Sequence, residues 1–117
     1  MTDLRVGQIE VRPEEFAAYC DGRRLDLAPR ELALLIELAR RRGRIVSREE
    51  LFAAVWQRPF RPNDRSVDVY VRKLRAKLAR VRPDMEFIHT HFGFGYRLEA
   101  ESSSELSQLL HNKVTTA

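Results

Sequence analysis

A single cysteine, Cys20, stands among the 117 residues. No internal disulfide can form, and a reducing cytoplasm is the expected compartment. No apolar run approaches the roughly 20 residues that a membrane-crossing helix needs. Early charges occupy the N-terminus where a signal peptide would carry an apolar stretch, so no membrane partner is expected. Internal repeats and low-complexity tracts are missing. So is the equipment of catalysis: no nucleophile is patterned with a base, and no paired carboxylates occur in a glycine-rich context. Gly93-Phe94-Gly95 lacks the strand–glycine–helix setting of a phosphate loop. His89 and His91, two apart on one strand face, could ligate a metal, but no carboxylate or nearby cysteine completes the set. No enzyme activity, cofactor or metal is expected.

What the chain does have is positive charge in one place. Its 44% hydrophobic and 32% charged residues suit one folded domain with a single core. Of the net +4, residues 1–57 contribute nothing, with ten basic and ten acidic side chains. Residues 58–82 hold nine basic against two acidic, a balance of +7, and residues 83–117 hold two against five. Such a concentration is the footprint of a polyanion binder.

The same stretch reads as an amphipathic helix over residues 64–82. At about 100° per residue, Val67, Val71, Leu74 and Leu78 share one face. Arg65, Ser66, Val69, Arg72, Lys73 and Arg80 share the opposite one. Asn63 or Asp64 can cap its start, since a short side-chain oxygen accepts from exposed first-turn N–H groups.

Around this helix the punctuation is legible. Leu4, Val6, Ile9 and Val11, then Phe16, Tyr19, Leu25 and Leu27, suggest three or four short antiparallel strands. Asp21-Gly22 is their tight turn. Pro29 opens a buried helix, which ends at Arg40-Arg41-Arg42 before Gly43. Those arginines suit the helix's exposed carbonyls better than a nucleic acid. Ser47 and Glu50 form a capping box, with Val46 and Leu51 as hydrophobic staple. The second helix then buries Leu51, Phe52, Val55 and Trp56 up to about Gln57. Two prolines make Arg58–Asn63 a loop. Pro83 ends the basic helix, and Glu86–Thr90 with Phe94–Leu98 form a hairpin. Residues 1–100 are expected to be the domain; residues 101–117 are a tail, linker-like at Ser102–Ser104 and a marginal helix over Glu105–Val114. The order of strands, two helices, loop, basic helix and hairpin is an α+β winged helix-turn-helix.

Five motifs now carry a resemblance: Leu27–Glu31, Gly43–Glu49, Leu51 with Val55-Trp56, Arg65–Arg75, and Gly93–Leu98. In that order and spacing they resemble the OmpR/PhoB-type DNA-binding effector domain of bacterial response regulators, over roughly residues 4–99. The resemblance implies a cytoplasmic transcription regulator of the two-component, phosphorelay kind. Its recognition helix would enter the major groove of double-stranded DNA, with hairpin 86–98 as a wing towards the minor groove. It further implies that loop 58–63, through Arg58, Phe60 and Arg61, meets RNA polymerase, and that two copies bind direct repeats as a head-to-tail homodimer. A receiver domain usually precedes such a unit; this sequence contains no acidic phosphorylation pocket.

Arg65, Arg72, Arg75 and Trp56 match positions that clamp phosphates in that family, and Arg80 extends their face. Lys73, with Ser66, Val69 and Tyr70 beside it, is placed to meet base edges. The wing departs from the pattern: Thr90-His91-Phe92-Gly93 puts Phe92 where an arginine is usual. Ala28 stands where a threonine is usual, so a helix-capping hydroxyl is lost. One other function stays open, a winged helix whose basic helix docks an acidic protein partner. RNA is disfavoured, because an A-form major groove is too narrow for a helix.

Overall fold

A computed structural model describes residues 3–104 with Leu106 and Gln108. Strands β1 (Leu4–Val6), β2 (Ile9–Arg12), β3 (Ala17–Cys20) and β4 (Arg23–Arg24) form an antiparallel sheet in that order. Val6, Ile9 and Val11 alternate inward and are fully buried, as period-two patterning requires of a half-buried sheet. Asp21 and Gly22 both take positive φ, 53° and 81°, so the Asp-Gly signal marks the β3–β4 turn. Phe16 departs from its expected strand. It leaves a 3-10 turn at Pro13–Glu15 with φ of 48° and stays partly exposed, because Pro13 interrupts the extended chain there.

Helices α1 (Pro29–Arg40), α2 (Arg48–Trp56) and α3 (Ser66–Val81) follow. Leu34, Leu35 and Leu38 of α1 are completely buried. Ala28 has no side-chain oxygen to cap α1, but its own N–H donates to Glu31 Oε1 at 2.8 Å. At the other end Arg41 donates to the Glu37 carbonyl and carboxylate, and Arg42 to Glu99. The arginine run is thus structural. Ser47 and Glu50 exchange both capping-box bonds, at 3.1 and 3.3 Å.

The hairpin is longer than its motifs suggest. Strands β5 (Met85–His91) and β6 (Gly95–Ser102) pair from His91↔Gly95 out to Met85↔Ser102. The linker-like reading of Ser102 is therefore corrected: Ser102 is the last strand residue, and Ser103 N–H donates to the Asp84 carbonyl. Serine composition marks turns only when no partner strand supplies backbone bonds, and here β5 does. The expected helix over Glu105–Val114 lies outside the described residues apart from Leu106 and Gln108.

One core joins these layers. Val67, Val71, Leu74 and Leu78 turn one face of α3 into it, against Leu35, Phe52, Phe87, Ile88 and Leu98. Val46, in the link between α1 and α2, exchanges two backbone bonds with Tyr96 of β6, at 2.8 and 2.9 Å. The hairpin thereby gains a third short pairing, and its orientation to the helices is fixed.

Candidate nucleic-acid interface

Burying four aliphatic residues of α3 forces its other side outward. Asp64 Oδ1 accepts from Ser66 N–H at 2.9 Å, giving the first turn the acceptor expected at Asn63 or Asp64. The assigned helix nevertheless begins at Ser66 rather than 64 and ends at Val81. Hydrogen bonds from Ser66, then the Arg58 guanidinium, hold the Asp64 carboxyl below its ordinary value.

Along the outer face, Arg65, Arg72 and Lys73 are exposed. Arg65 only approaches Asp68, at 4.0 Å, and shares an open cleft with Val69 and Arg72. Arg72 makes no hydrogen bond or ion pair among the described residues. The Lys73 ammonium lies 4.7 Å from the Tyr70 ring centre, a cation–π contact that steadies a flexible stem. Tyr70 in turn meets the Trp56 ring edge-on at 5.6 Å. Trp56 stacks flat on buried Phe52 at 5.2 Å, with the Arg30 guanidinium 5.0 Å above its ring. An aromatic column thus runs from the core to Lys73. Ser66 and Val69 are half-buried beside it, and Arg80 lies exposed in the last turn.

Arg75 does not sit with these free cations. Its guanidinium donates to the Ile88 carbonyl at 2.8 and 3.2 Å and to Thr90 Oγ1 at 2.6 Å. The guanidinium expected at a phosphate thus ties α3 to β5 through Nε and one Nη. Thr90, expected as a wing contact, is engaged in the same tie. His91 Nε2 accepts from Arg97 Nε at 3.1 Å. Of the three expected wing residues only Phe92 projects, 87% exposed, with Phe94 72% exposed beside it in the turn.

Loop 58–63 is likewise partly engaged. Phe60 packs edge-on to Phe52 at 5.3 Å. The Arg58 guanidinium covers the same ring at 4.6 Å and donates to Asp64. Arg61 is left exposed, its side chain without a partner among the described residues.

Asp68, Arg48 and Tyr96 were not singled out by sequence reasoning, yet they set the geometry. Asp68 Oδ1 accepts from Arg48 Nε at 2.7 Å and from the Tyr96 hydroxyl. Burial first, then this bond to a carboxylate, pushes the Tyr96 phenol up. The Arg48 and Arg75 guanidinia lie 5.2 and 5.6 Å from its ring centre. One tyrosine so joins α2, α3 and the wing. Its signal in sequence was a carboxylate placed within a basic helix.

On the opposite flank Glu31, buried at 3% exposure, accepts from Lys77 Nζ at 2.7 Å as well as from Ala28. Burial raises its carboxyl, but these two donors outweigh it and hold it below its ordinary value. Among the described residues no group of three or more His, Cys, Asp or Glu side chains is placed to hold a metal. His89 Nε2 lies 3.0 Å from the Glu99 carbonyl. No described helix is long and apolar enough to cross a membrane.

Residues 22–98 match the family described as "Transcriptional regulatory protein, C terminal". The chain is 35% identical over 100 residues to the alkaline phosphatase synthesis transcriptional regulatory protein PhoP of Bacillus subtilis, covering 86% of this chain and 42% of that protein. It is 43% identical over 79 residues to the transcriptional regulatory protein AfsQ1 of Streptomyces coelicolor, covering 68% and 35%. It thus spans less than half the length of these curated relatives. Among solved structures, the DNA-binding domain of CpxR from E. coli superposes with a TM-score of 0.77 at 31% identity, covering 86% of this chain and all of that one. The Klebsiella pneumoniae RstA DNA-binding domain, in complex with the RstA box, gives 0.75 at 26% identity, covering 85% and 98%.

Proposed function

The chain belongs to the family of C-terminal domains of transcriptional regulatory proteins, and from that premise we propose that it binds double-stranded DNA sequence-specifically and regulates transcription in the bacterial cytoplasm. The carrying observation is the outer face of α3. Arg65, Arg72 and Lys73 are exposed there, on a helix whose other side is locked into the core. An α-helix fits the major groove of B-form DNA, about 12 Å wide.

Two kinds of contact divide the face. Arg65, Arg72 and Arg80 take phosphates, which fixes register without reading sequence. The half-buried Trp56 indole N–H, without a partner among the described residues, is a further phosphate donor. Lys73, with Val69, Ser66 and the rim of Tyr70, meets base edges. Its ammonium suits guanine O6 or N7, and the Val69 methyls suit a thymine methyl. Arg75 positions: it holds β5 and so sets where Phe92 stands. We assign the domain no catalytic step. The exposed side of loop 58–63, Arg61 foremost, is our candidate contact for RNA polymerase, and a head-to-tail homodimer on direct repeats is the expected assembly.

Selection of bound duplexes from a random pool tests this directly. The expected result is an enriched motif, repeated in one orientation at a spacing near one helical turn, about 10 base pairs. A pool that emerges unenriched, with retention that does not weaken as salt is raised, would refute the proposal. The helix would then be better explained as a dock for an acidic protein.

A further inference from the structure

Half of the chain's eighteen arginines are paired with acceptors: Arg5, Arg12, Arg41, Arg42, Arg48, Arg58, Arg75, Arg82 and Arg97 all donate hydrogen bonds to other residues. Among the described residues, the guanidinia without a hydrogen bond or close ion pair concentrate in two places. One is the front of α3 at Arg65 and Arg72. The other is the far end of that helix, where Arg80 of α3 meets Arg23 and Arg24 of β4. Elsewhere, Arg44 and Arg61 stand singly on loops, and Arg30 lies over Trp56.

The second cluster is continuous with the first. Fifteen residues separate Arg65 from Arg80, which at 100° per residue returns Arg80 to the same side of the helix, roughly 22 Å along its axis. There Arg80 lines one cleft with Arg23 and a second with Arg24. All three side chains are exposed. The nearby carboxylates do not neutralise them. Asp21 is held by Arg82 at 3.0 Å, and Lys77, also in the second cleft, is held by Glu31. Among the described residues of the two clefts, Asp26 alone remains unpaired against three free guanidinia.

We propose that this patch is a second phosphate grip, formed by Arg23, Arg24 and Arg80, which holds the duplex backbone beyond the base pairs that Lys73 reads. It rests on the DNA-binding reading above. A cationic stripe of about 22 Å is nearly twice the width of the major groove, about 12 Å. A helix whose front half lies in the groove therefore carries its last turn to or past the flanking phosphodiester strand. The two β4 arginines widen that end from a helix tip into a shelf. Their guanidinia match phosphate oxygens in geometry, and Arg holds phosphate in a forked pair where lysine acts as a point charge. These contacts carry no sequence information; they lengthen the footprint and steepen the salt dependence.

The test uses the Arg23→Ala, Arg24→Ala double variant, whose exposed side chains can be removed without opening the core. Binding is titrated between about 50 and 200 mM salt on the selected site with long flanks, and on the same site trimmed to its core. On the long duplex the log–log slope should become shallower by about 1.8, two phosphates at about 0.9 each, so the affinity lost across that range shrinks by about tenfold. Discrimination against a scrambled site should be unchanged, as should the melting temperature. The trimmed duplex should show little difference between the proteins. Equal slopes on the long duplex would overturn the proposal. The arginines would then be guards of an exposed strand edge or a dock for an acidic protein. Failure of the unaltered protein to prefer any duplex is a separate outcome and would sink the DNA-binding reading itself.

Discussion

At Lys73 and Arg72, neighbours on one helix face, the same charge is expected to do different work. Lys73 stands on the aromatic column of Tyr70 and Trp56, which limits where its ammonium can go. Arg72 has no such support and is free to follow a phosphate. Lys73→Ala should cost about 1–3 kcal/mol of discrimination between matched and scrambled duplexes, whereas Arg72→Ala should weaken both alike. Competition titrations on the two duplexes report the difference, and equal losses from Lys73→Ala would remove it from base readout. Phe92 is the other informative residue. It projects from a hairpin whose neighbours Thr90 and His91 are held by Arg75 and Arg97. A cation at that fixed point would meet the enhanced negative potential of a narrow A·T minor groove. Phe92→Arg is therefore expected to tighten binding to A·T-flanked sites at low salt. No gain there would mean that the wing stops short of the groove.

Between elements, the joints decide the geometry. A Cβ on Gly95 would lie 2.0 Å from the Val46 carbonyl oxygen, and Gly95 itself has a φ of 145°. Gly95→Ala should therefore push the α1–α2 link off β6 and cost on the order of 2–3 kcal/mol. Chemical denaturation would measure it, and an unchanged midpoint would show that the link can shift freely. The joint between α1 and α3 is ionic. Because Lys77 and the Ala28 N–H hold the Glu31 carboxyl below its ordinary value of 4.5, the folded group is more acidic than the unfolded one. Its contribution is complete above about pH 4.5 and is lost as pH falls through the folded value. Glu31→Gln should lower the melting temperature near neutral pH and flatten its decline in acid relative to the unaltered protein. Parallel declines would mean that the pair adds nothing in solution.

For the molecule as a whole, charge segregation is the property that matters. Of the +7 of residues 58–82, the charges of Arg65, Arg72, Lys73 and Arg80 face outward along α3, because the aliphatic side of the helix is occupied by the core. With phosphate contacts from Arg65, Arg72 and Arg80 and the two arginines of β4, affinity should fall with salt along a log–log slope of about −4 to −5. A slope near −1 would leave room for a single phosphate contact and contradict a duplex laid along the helix. That measurement needs no knowledge of the operator.

Periodicity and capping chemistry, both local, determined the order of elements, the buried stripe Val67–Val71–Leu74–Leu78, the Ser47–Glu50 box and the basic face. Such signals act over a few residues, so they are written in neighbouring letters. The sequence by itself could not say which basic residues are free. In a helical projection Arg75 lies about 60–80° round from Arg72 and Arg65, still off the buried stripe, and nothing in that projection supplies it an acceptor. Only packing of the hairpin brings Ile88 and Thr90 to Arg75, thirteen and fifteen residues away. Nor could it pair Arg48 with Asp68 and Tyr96, or bring Arg23 and Arg24 of the sheet to Arg80. A guanidinium is engaged or free according to which acceptors tertiary folding brings within hydrogen-bond reach, and at those separations adjacency is decided by the fold.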